Sequence, residues 1–253
     1  MPLRPDQLAD HYDRIAEKFN SNWASDPDLV SWLNREISAR LLPLRAGDRA
    51  ADIGCGTGLY AGALASDGHT VVCVDPSAKM LARLPSKPEF VPIRASLEEL
   101  DEGSVSLPFG GRYDAVLAKD VIHHTQDWKA SISTLTNILS ARGKLLVVTP
   151  PTSPKIPLFD TALQRYEEFP DPSEMTAFLA GMGMNVQLTE EGFRRRIAKK
   201  KWLTMVADRY ISVLSEFEDE ALSDGLAEID ARYAEPFLEF DHRLFFVLAS
   251  STR

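Results

Sequence analysis

The chain has 253 residues, of which 44% are hydrophobic and 26% charged, with 14 glycines and 16 prolines. This composition is typical of a folded globular protein and excludes disordered, collagen-like and disulfide-built chains. The formal net charge of -9 disfavours nucleic acid and acidic lipid surfaces as partners. The sequence has no apolar run of membrane-spanning length, and residues 1–10 lack the apolar stretch of a signal peptide. We therefore expect a cytoplasmic protein with no membrane partner.

Short apolar runs alternate with helical stretches in the first part of the chain, which predicts a parallel sheet. The predicted strands are Arg49–Ile53, Thr70–Val74, Phe90–Ile93, Tyr113–Ala118 and Lys144–Thr149. The predicted helices between them are Leu59–Ala65, Pro76–Leu84 and Trp128–Ser140.

After Pro150 the pattern changes to a helical excursion with two late strands. The predicted helices are Leu158–Phe169, Ser173–Met182, Lys200–Leu214 and Asp219–Tyr233, and the predicted strands are Asn185–Leu188 and Arg243–Ala249. We expect one domain over residues 1–253. Within it, residues 1–40 form a helical segment over the ligand site, 45–150 the ligand-binding core, and 151–183 with 193–236 helical insertions that form a substrate lid.

A glycine-rich loop follows the first predicted strand and opens a helix. It runs Asp52-Ile53-Gly54-Cys55-Gly56-Thr57-Gly58. Glycines let the backbone turn sharply and expose its N–H groups to a ligand. The alternative is a turn in which glycine serves geometry alone, but the strand, loop and helix in this order favour a nucleotide site.

The second predicted strand ends in Asp75, which follows Gly58 by 17 residues. An acid about 20 residues after such a loop binds ribose hydroxyls in nucleotide-binding α/β folds. The alternative role for Asp75 is a helix N-cap, because Pro76 and Ser77 follow it. We interpret Asp75 as the ribose-binding acid.

The loop lacks the third glycine of the dinucleotide fingerprint, since Leu59 stands there. It resembles instead motif I of the class I S-adenosylmethionine-dependent methyltransferases, D/E-x-G-x-G-x-G. The segment Tyr12-Asp13-Arg14-Ile15-Ala16 and the pair His123-His124 resemble two further features of that family. The likeness is strongest to the small-molecule branch, which includes quinone-biosynthetic and trans-aconitate-type enzymes. It implies a Rossmann-like, seven-stranded, mostly parallel sheet with helices on both faces and an added helical lid.

The resemblance also implies a set of cofactor-binding residues for S-adenosylmethionine and its product S-adenosylhomocysteine. Gly54, Gly56 and Gly58 would line the methionine portion, Asp75 the ribose, and Pro76 with Met80 the adenine. Where relatives carry an acid that meets the adenine amino group, this chain has Ser96, followed by Leu97. The complete expected set is Tyr12, Asp52, Gly54, Cys55, Gly56, Gly58, Asp75, Pro76, Met80, Ser96, Leu97 and Ala118.

His123 and His124 follow the fourth predicted strand, at the edge where such sheets bind ligands. A positioned histidine accelerates proton removal from an acceptor by about 100- to 10,000-fold. These two residues are therefore the candidate catalytic bases, and the alternative is a packed, neutral histidine that holds a loop. With no third ligand at metal spacing, we expect no metal site.

The late helical region supplies candidate substrate-binding residues. Trp202, Arg209 and Tyr210 fall on one bulky face of a predicted helix, which packs in a core or walls a pocket. Arg209 would then hold a substrate carboxylate. The basic cluster Arg194–Arg196 with Lys199–Lys201 is either a solvated face or an attractor of anionic small substrates.

These observations predict a methyltransferase that acts on a small-molecule acceptor, with a carboxylate-bearing metabolite as the finer hypothesis. Two alternatives stay open: a cofactor-binding regulatory module without turnover, and a nicotinamide-dependent oxidoreductase. The pattern leaves the acceptor atom open, and it does not distinguish a monomer from a homodimer.

Overall fold

The computed structural model describes residues 5–24, 26–65 and 68–251, so the ends of the predicted single domain, residues 1–4 and 252–253, lie outside the described part. Its centre is a seven-stranded sheet in the order β3-β2-β1-β4-β5-β7-β6. The first five strands are parallel, whereas β7 is antiparallel to both β5 and β6. The strands are β1 (Ala50–Ile53), β2 (Val71–Asp75), β3 (Phe90–Arg94), β4 (Tyr113–Lys119), β5 (Leu139–Thr149), β6 (Met184–Ala198) and β7 (Phe237–Ser251). The predicted fold is confirmed.

Helices cover both faces of this sheet. They are α1 (Pro5–Ala24), α2 (Pro27–Leu41), α3 (Ala61–Leu64), α4 (Ala78–Leu81), α5 (Leu97–Asp101), α6 (Trp128–Asn137), α7 (Asp160–Gln164), α8 (Pro172–Gly181), α9 (Lys199–Ala207) and α10 (Asp219–Arg232). On one face the buried stripe of α2, such as Leu33 and Ile37, packs against β-strand residues that include Leu117. On the other, α6 and α8 cover a second core. Burial on both faces explains why the parallel strands are nearly continuous apolar runs.

The last two strands are much longer than predicted. Each has 15 residues, whereas β5 stops pairing where Thr149 meets Phe245. Residues 237–244 therefore continue past the carboxyl end of β5, paired with residues 191–198 of β6. We call this two-stranded extension the ribbon. It projects over the sheet edge at which parallel α/β folds bind ligands.

A third hydrophobic core forms on the ribbon and builds a cap over that edge. Helices α7, α9 and α10 contribute Ala162, Trp202 and Ile229, and the ribbon contributes Leu238 and Phe240. The indole Nε1 of Trp202 donates a hydrogen bond to the Pro157 carbonyl at 2.5 Å. The cap is thus a packed unit of the same domain.

The boundaries predicted for the lid differ from the observed cap. Residues 193–198 are strand, because they continue the pairing of β6 with β7. Helix α8, inside the predicted insertion 151–183, packs on the sheet through Met175 and Leu179. Helix α9 ends at Ala207, and the chain turns through Arg209 at a positive φ of 51°. The predicted continuous helix Lys200–Leu214 is therefore wrong after residue 207.

No helix within residues 5–24, 26–65 and 68–251 is long and apolar enough to cross a membrane.

The packing of α10 on the cap predicts that replacing glycine by alanine affects stability differently at two helical positions. A Cβ at Gly225 would lie 2.5 Å from the buried ring of Phe159, whereas one at Gly62 would have no heavy atom within 4 Å. Overpacking costs about 1–3 kcal/mol. We expect Gly225→Ala to lower the melting temperature in calorimetry, and Gly62→Ala to leave it unchanged or raise it. Equal melting temperatures for both variants would contradict the described packing of α10.

Candidate active site

One deep pocket opens at the carboxyl edge of the sheet, between the glycine loop, helix α1 and the cap. Its glycine-loop side comprises Asp52, Gly54, Cys55, Gly56, Asp75, Pro76, Met80, Ser96 and Leu97. Its cap side comprises Tyr166, Phe169, Tyr210, Ile211, Ser212, Val213, His242 and Leu244. Residues from α1 and from the segment after β4 lie between these two sides.

The glycine loop uses its glycines for different reasons. Gly54 has a positive φ of 70°, and a Cβ there would collide with the side chain of Val121. Gly56 has a φ of 55°, and the nearest atom to a Cβ at this position would be a Phe19 ring carbon at 3.9 Å. The loop is therefore pressed against the segment after β4 at Gly54 and stays open toward the pocket at Gly56.

Asp75 holds this loop to the next one. Its Oδ2 accepts a hydrogen bond from the Gly56 N–H at 2.8 Å, and its Oδ1 accepts one from the Ser77 N–H at 2.9 Å. Burial raises the pKa of Asp75 to about 6, against the lowering effect of these two bonds. The N-cap of α4 is Ser77, whose side chain accepts from the Met80 N–H. The alternative role of Asp75 as that cap is therefore wrong.

Asp52 is a second buried carboxyl group on the glycine-loop side. It is 3% exposed and lies at the end of β1, next to Asp75 in the pocket wall. Burial, with a smaller contribution from the Asp75 charge, raises the pKa of Asp52 to about 8. A cationic ligand group in this part of the pocket would favour the ionised carboxylate and lower that pKa again.

Helix α1 covers the pocket and is fastened to the glycine-loop side. Asn20 accepts a hydrogen bond from the Thr57 hydroxyl at 2.5 Å. The Asp13 carboxylate accepts from the Ser77 hydroxyl and from the Lys79 N–H. Because these bonds hold α1 in place, its Tyr12, Phe19 and Trp23 side chains line the pocket.

The segment after β4 brings both predicted histidines to the pocket in different environments. The Nε2 atom of His124 lies 3.2 Å from the Tyr12 hydroxyl. The ring of His123 stacks on Phe169, with centroids 4.0 Å apart and planes at 8°. Burial lowers the pKa of His123 to about 3 and that of His124 well below its ordinary value, so both rings are neutral at pH 7.

Lys119 and Asp120 form an ion pair at the end of β4. The Lys119 ammonium lies 4.9 Å from the Tyr60 ring centroid and 5.4 Å from that of Trp23. Asp120 has a positive φ of 55°. Both residues of this pair line the pocket.

The residues expected around adenine, Pro76, Met80, Ser96 and Leu97, all line the pocket. The Ser96 hydroxyl caps α5 by accepting from the Glu99 N–H at 3.2 Å, and the Glu99 carboxylate accepts from the Ser96 N–H. Ser96 thus has a local structural role as well as its place in the pocket wall.

Four expected site residues lie outside the pocket lining. Gly58 packs against Leu84, Ala118 faces a sheet core, and Trp202 is enclosed in the cap core. The Arg209 guanidinium donates to the Leu214 carbonyl and to Asp219. The expectation that Arg209 faces the substrate is wrong because α9 ends before it; Tyr210 is the member of that trio that reaches the pocket.

Several pocket residues carried no assigned role in the sequence analysis. They are Tyr60, Lys119, Asp120, Tyr166, Phe169 and His242. The strand predicted from the sequence begins at Arg243, so it does not include His242. Apolar residues at alternate positions, Leu238, Phe240 and Leu244, show that the strand begins earlier. This alternation places His242 on the same buried face.

Comparisons with known proteins fit this site. Residues 51–147 match the model of a family described as a methyltransferase domain. A ubiquinone biosynthesis O-methyltransferase of Xanthomonas axonopodis pv. citri (strain 306) is 28% identical over 165 residues, which cover 60% of this chain and 67% of that protein.

Two solved structures share the fold. A protein of Anabaena variabilis ATCC 29413, provisionally named a methyltransferase from an antibiotic biosynthesis pathway, has a TM-score of 0.63 at 21% identity, with 84% of this chain and 96% of that chain covered. Phosphoethanolamine N-methyltransferase 2 of Haemonchus contortus, in complex with phosphomonomethylethanolamine and S-adenosylhomocysteine, has a TM-score of 0.56 at 19% identity, with 87% and 52% covered. The match to a methyltransferase domain supports the cofactor predicted from the glycine loop, S-adenosylmethionine.

The residues present fit that cofactor. Its ammonium and sulfonium groups are cationic, and the glycine-loop side offers two buried carboxyl groups, Asp52 and Asp75. Gly56 leaves room for close approach to the backbone. Met80 and Leu97 supply an apolar slot for a flat base.

The raised pKa of Asp52 leads us to expect that cofactor binding releases a proton. With its pKa raised to about 8, the free carboxyl group is mostly protonated at pH 7, and a bound cation favours its ionised form. Affinity for S-adenosylmethionine should therefore rise with pH up to about 8. We expect titration calorimetry at pH 7, in two buffers of different ionisation enthalpy, to measure a release of close to one proton. Asp52→Asn should abolish it, and equal release from both proteins would refute this role.

Proposed function

We propose that this chain is an S-adenosylmethionine-dependent methyltransferase whose acceptor is an acidic hydroxyl group on a flat, largely apolar ring of a small molecule. We assign the cap side of the pocket to this acceptor and the glycine-loop side to the cofactor. Methyl transfer requires alignment of the acceptor with the methyl group and exclusion of water, and an enclosed pocket supplies both.

The observation that carries this proposal is the aromatic wall of the cap side. Tyr166, Phe169 and Tyr210 line it, and Trp23 with Tyr60 continue it beside Lys119. Aromatic side chains favour stacked or edge-to-face contact with another ring. The remaining apolar lining comes from Ile211, Val213 and Leu244. A flat ring fits this wall better than an extended polar chain does.

The comparisons support oxygen as the acceptor atom. The similar protein of Xanthomonas axonopodis pv. citri is named an O-methyltransferase of ubiquinone biosynthesis, and this name implies a ring-bearing substrate with a hydroxyl group. Because identity is 28% over 60% of this chain, we extend to it the class of acceptor and not the compound.

His124 is the proposed proton acceptor, with Tyr12 as its partner. The cofactor supplies an electrophilic methyl group, so the chain must remove the hydroxyl proton as the new bond forms. The Tyr12 hydroxyl lies 3.2 Å from His124 Nε2, and burial keeps its pKa above its usual value. A proton from the acceptor reaches Nε2 through this hydroxyl. His123, stacked on Phe169, is assigned to packing of the wall.

The pKa of His124 limits the acceptor class. Because its pKa lies well below the ordinary value, His124 is always neutral at pH 7 but is a weak base. Efficient transfer requires a donor of matched acidity. A phenol or an enol meets this requirement better than an aliphatic alcohol, whose hydroxyl is far less acidic.

A carboxylate on the acceptor is the finer hypothesis from the sequence, and its expected clamp, Arg209, lies elsewhere. Lys119 is the cation among the described pocket-lining residues, and its ammonium is paired with Asp120. A carboxylate-bearing ring would have to compete with Asp120 for this ammonium. We therefore place the hydroxyl group first and treat a carboxylate as a secondary substituent.

A panel of acceptors tests this function. The purified protein with S-adenosylmethionine is given catechol, 3,4-dihydroxybenzoate, cyclohexanol and trans-aconitate, and products are identified by mass spectrometry. We expect methyl ethers of the two phenols and no product from cyclohexanol. Methyl esters of trans-aconitate without any phenol ether would overturn the hydroxyl proposal, and the two phenols together measure the effect of the carboxylate.

Substitutions at the Tyr12–His124 pair test the proton path. With a phenolic acceptor, His124→Ala should lower kcat by about 100- to 10,000-fold, and Tyr12→Phe should also lower it. Cofactor affinity, measured by calorimetry, should change little for His124→Ala. Tyr233→Phe, which lies outside this pocket, is the matched control. Unchanged kcat in both pocket variants would exclude this path.

The pH profile supplies an independent readout. A base works in its neutral form, above its pKa, and the pKa of His124 is lowered. At saturating cofactor, the wild-type kcat should therefore show no fall as the pH drops through 6.5, where an ordinary histidine becomes protonated. A fall centred near 6.5 that disappears in His124→Ala would contradict the described environment.

A further inference from the structure

The run Arg194–Arg196 is divided by strand alternation into two exposed arginines and one buried arginine. Side chains of Arg194 and Arg196 are 62% and 60% exposed and pair with Glu239 across the ribbon. The Arg195 side chain is 1% exposed. Strand residues alternate between faces, so the middle arginine points into the protein. The predicted basic cluster is therefore not one surface.

Arg195 bridges two parts of the molecule that are far apart in sequence. Its Nε donates to the Asp26 Oδ2 at 2.8 Å. Its guanidinium carbon lies 5.5 Å from the Trp202 ring centroid and 5.4 Å from that of Phe240. Both rings belong to the cap core. The guanidinium therefore joins the cap to Asp26, the residue directly before α2.

Asp26 uses its two carboxylate oxygens for two elements. Oδ1 accepts a hydrogen bond from the Leu29 N–H at 3.1 Å and caps α2. Oδ2 accepts one from Arg195 Nε. The Asp26 N–H in turn donates to the Trp23 carbonyl at 3.0 Å. Asp26 is thereby fixed to the end of α1, the helix that covers the pocket.

The Asp26–Arg195 bridge is connected to the pocket by two aromatic rings, one from the cap and one from α1. Tyr210 lines the cap side, and its ring centroid lies 5.5 Å from that of Trp202, the ring beside the Arg195 guanidinium. Trp23 lines the pocket from α1, and its ring centroid is 6.2 Å from that of Tyr210. A ring contact and a buried ion pair thus join α1 to the cap. Removing one partner of such a pair leaves an uncompensated buried charge, which is strongly unfavourable.

We propose that Arg195 is a positioning residue that couples closure of α1 over the cofactor to ordering of the cap that receives the acceptor. Cofactor binding holds α1 against the glycine loop, Asp26 carries this constraint to Arg195, and Arg195 fixes Trp202, Phe240 and Tyr210. The acceptor side is then formed before the acceptor arrives, which excludes water from the methyl group. The proposal rests on the division of the pocket given under the proposed function, but not on the identity of the acceptor.

Hydrogen exchange with S-adenosylhomocysteine as the probe tests this coupling without any acceptor. In the wild-type protein, the ligand should slow amide exchange both in α1 and in cap residues 199–216. In Asp26→Asn, α1 should still be protected, and protection of the cap should fall to within about twofold of the ligand-free protein. Asparagine is also a good N-cap, so this variant keeps the start of α2 and removes the charge pair.

Three further variants separate positioning from stability. Arg195→Met should behave like Asp26→Asn, and the double variant should lose no more cap protection than either single change. Arg194→Met, next in the chain but exposed, should match the wild type. Melting temperatures and the affinity for the probe identify any variant that is simply unfolded. Full ligand-induced protection of the cap in Asp26→Asn, or none in the wild type, would overturn the proposal. Because no acceptor is used, a failed acceptor panel does not affect this result.

Discussion

The pairing of β7 with two different partners is the constraint on which the site depends. Over residues 245–250, β7 is held between β5 and β6, and over residues 237–244 its pairing continues with β6 beyond the end of β5. The ribbon so formed stands above the edge where the parallel strands end, and it carries His242 and Leu244 into the pocket. Without this extension the cap helices would have no surface on which to bury their apolar faces, and the pocket would be an open cleft.

The cofactor side could be predicted because its information is local. The loop at Gly54 and Gly56, the acid Asp75 and the strands that end beside them lie within a short stretch of chain, and their spacing is fixed by strand and helix geometry. The paired histidines were also placed at the correct edge, since the ends of parallel strands meet there. The sequence pattern could not distinguish the environments of the two histidine rings, because their neighbours Tyr12 and Phe169 come from distant segments.

The cap could not be predicted to the same extent because long-range pairing decides it. The spacing of Trp202, Arg209 and Tyr210 fits one helix face, yet α9 ends at Ala207 and Arg209 turns outward to Asp219. Likewise, Arg194–Arg196 reads as one basic patch until its place in a strand is known. Periodicity identifies a helix or a strand, but the point at which an element stops is set by the contacts it meets.

The contact between Gly54 and Val121 joins two regions that are usually considered separately. The first belongs to the loop at the end of β1, the second to the segment that leads to His123 and His124, and no methyl group fits between them. The side chains at these two positions therefore cannot both be larger than they are, because they occupy the same space. Position 54 is closed to larger residues for two reasons, its positive φ of 70° and the Val121 side chain, so a smaller residue at position 121 would remove only one of them. The glycine that shapes the cofactor loop therefore also sets how closely the histidine segment can approach it.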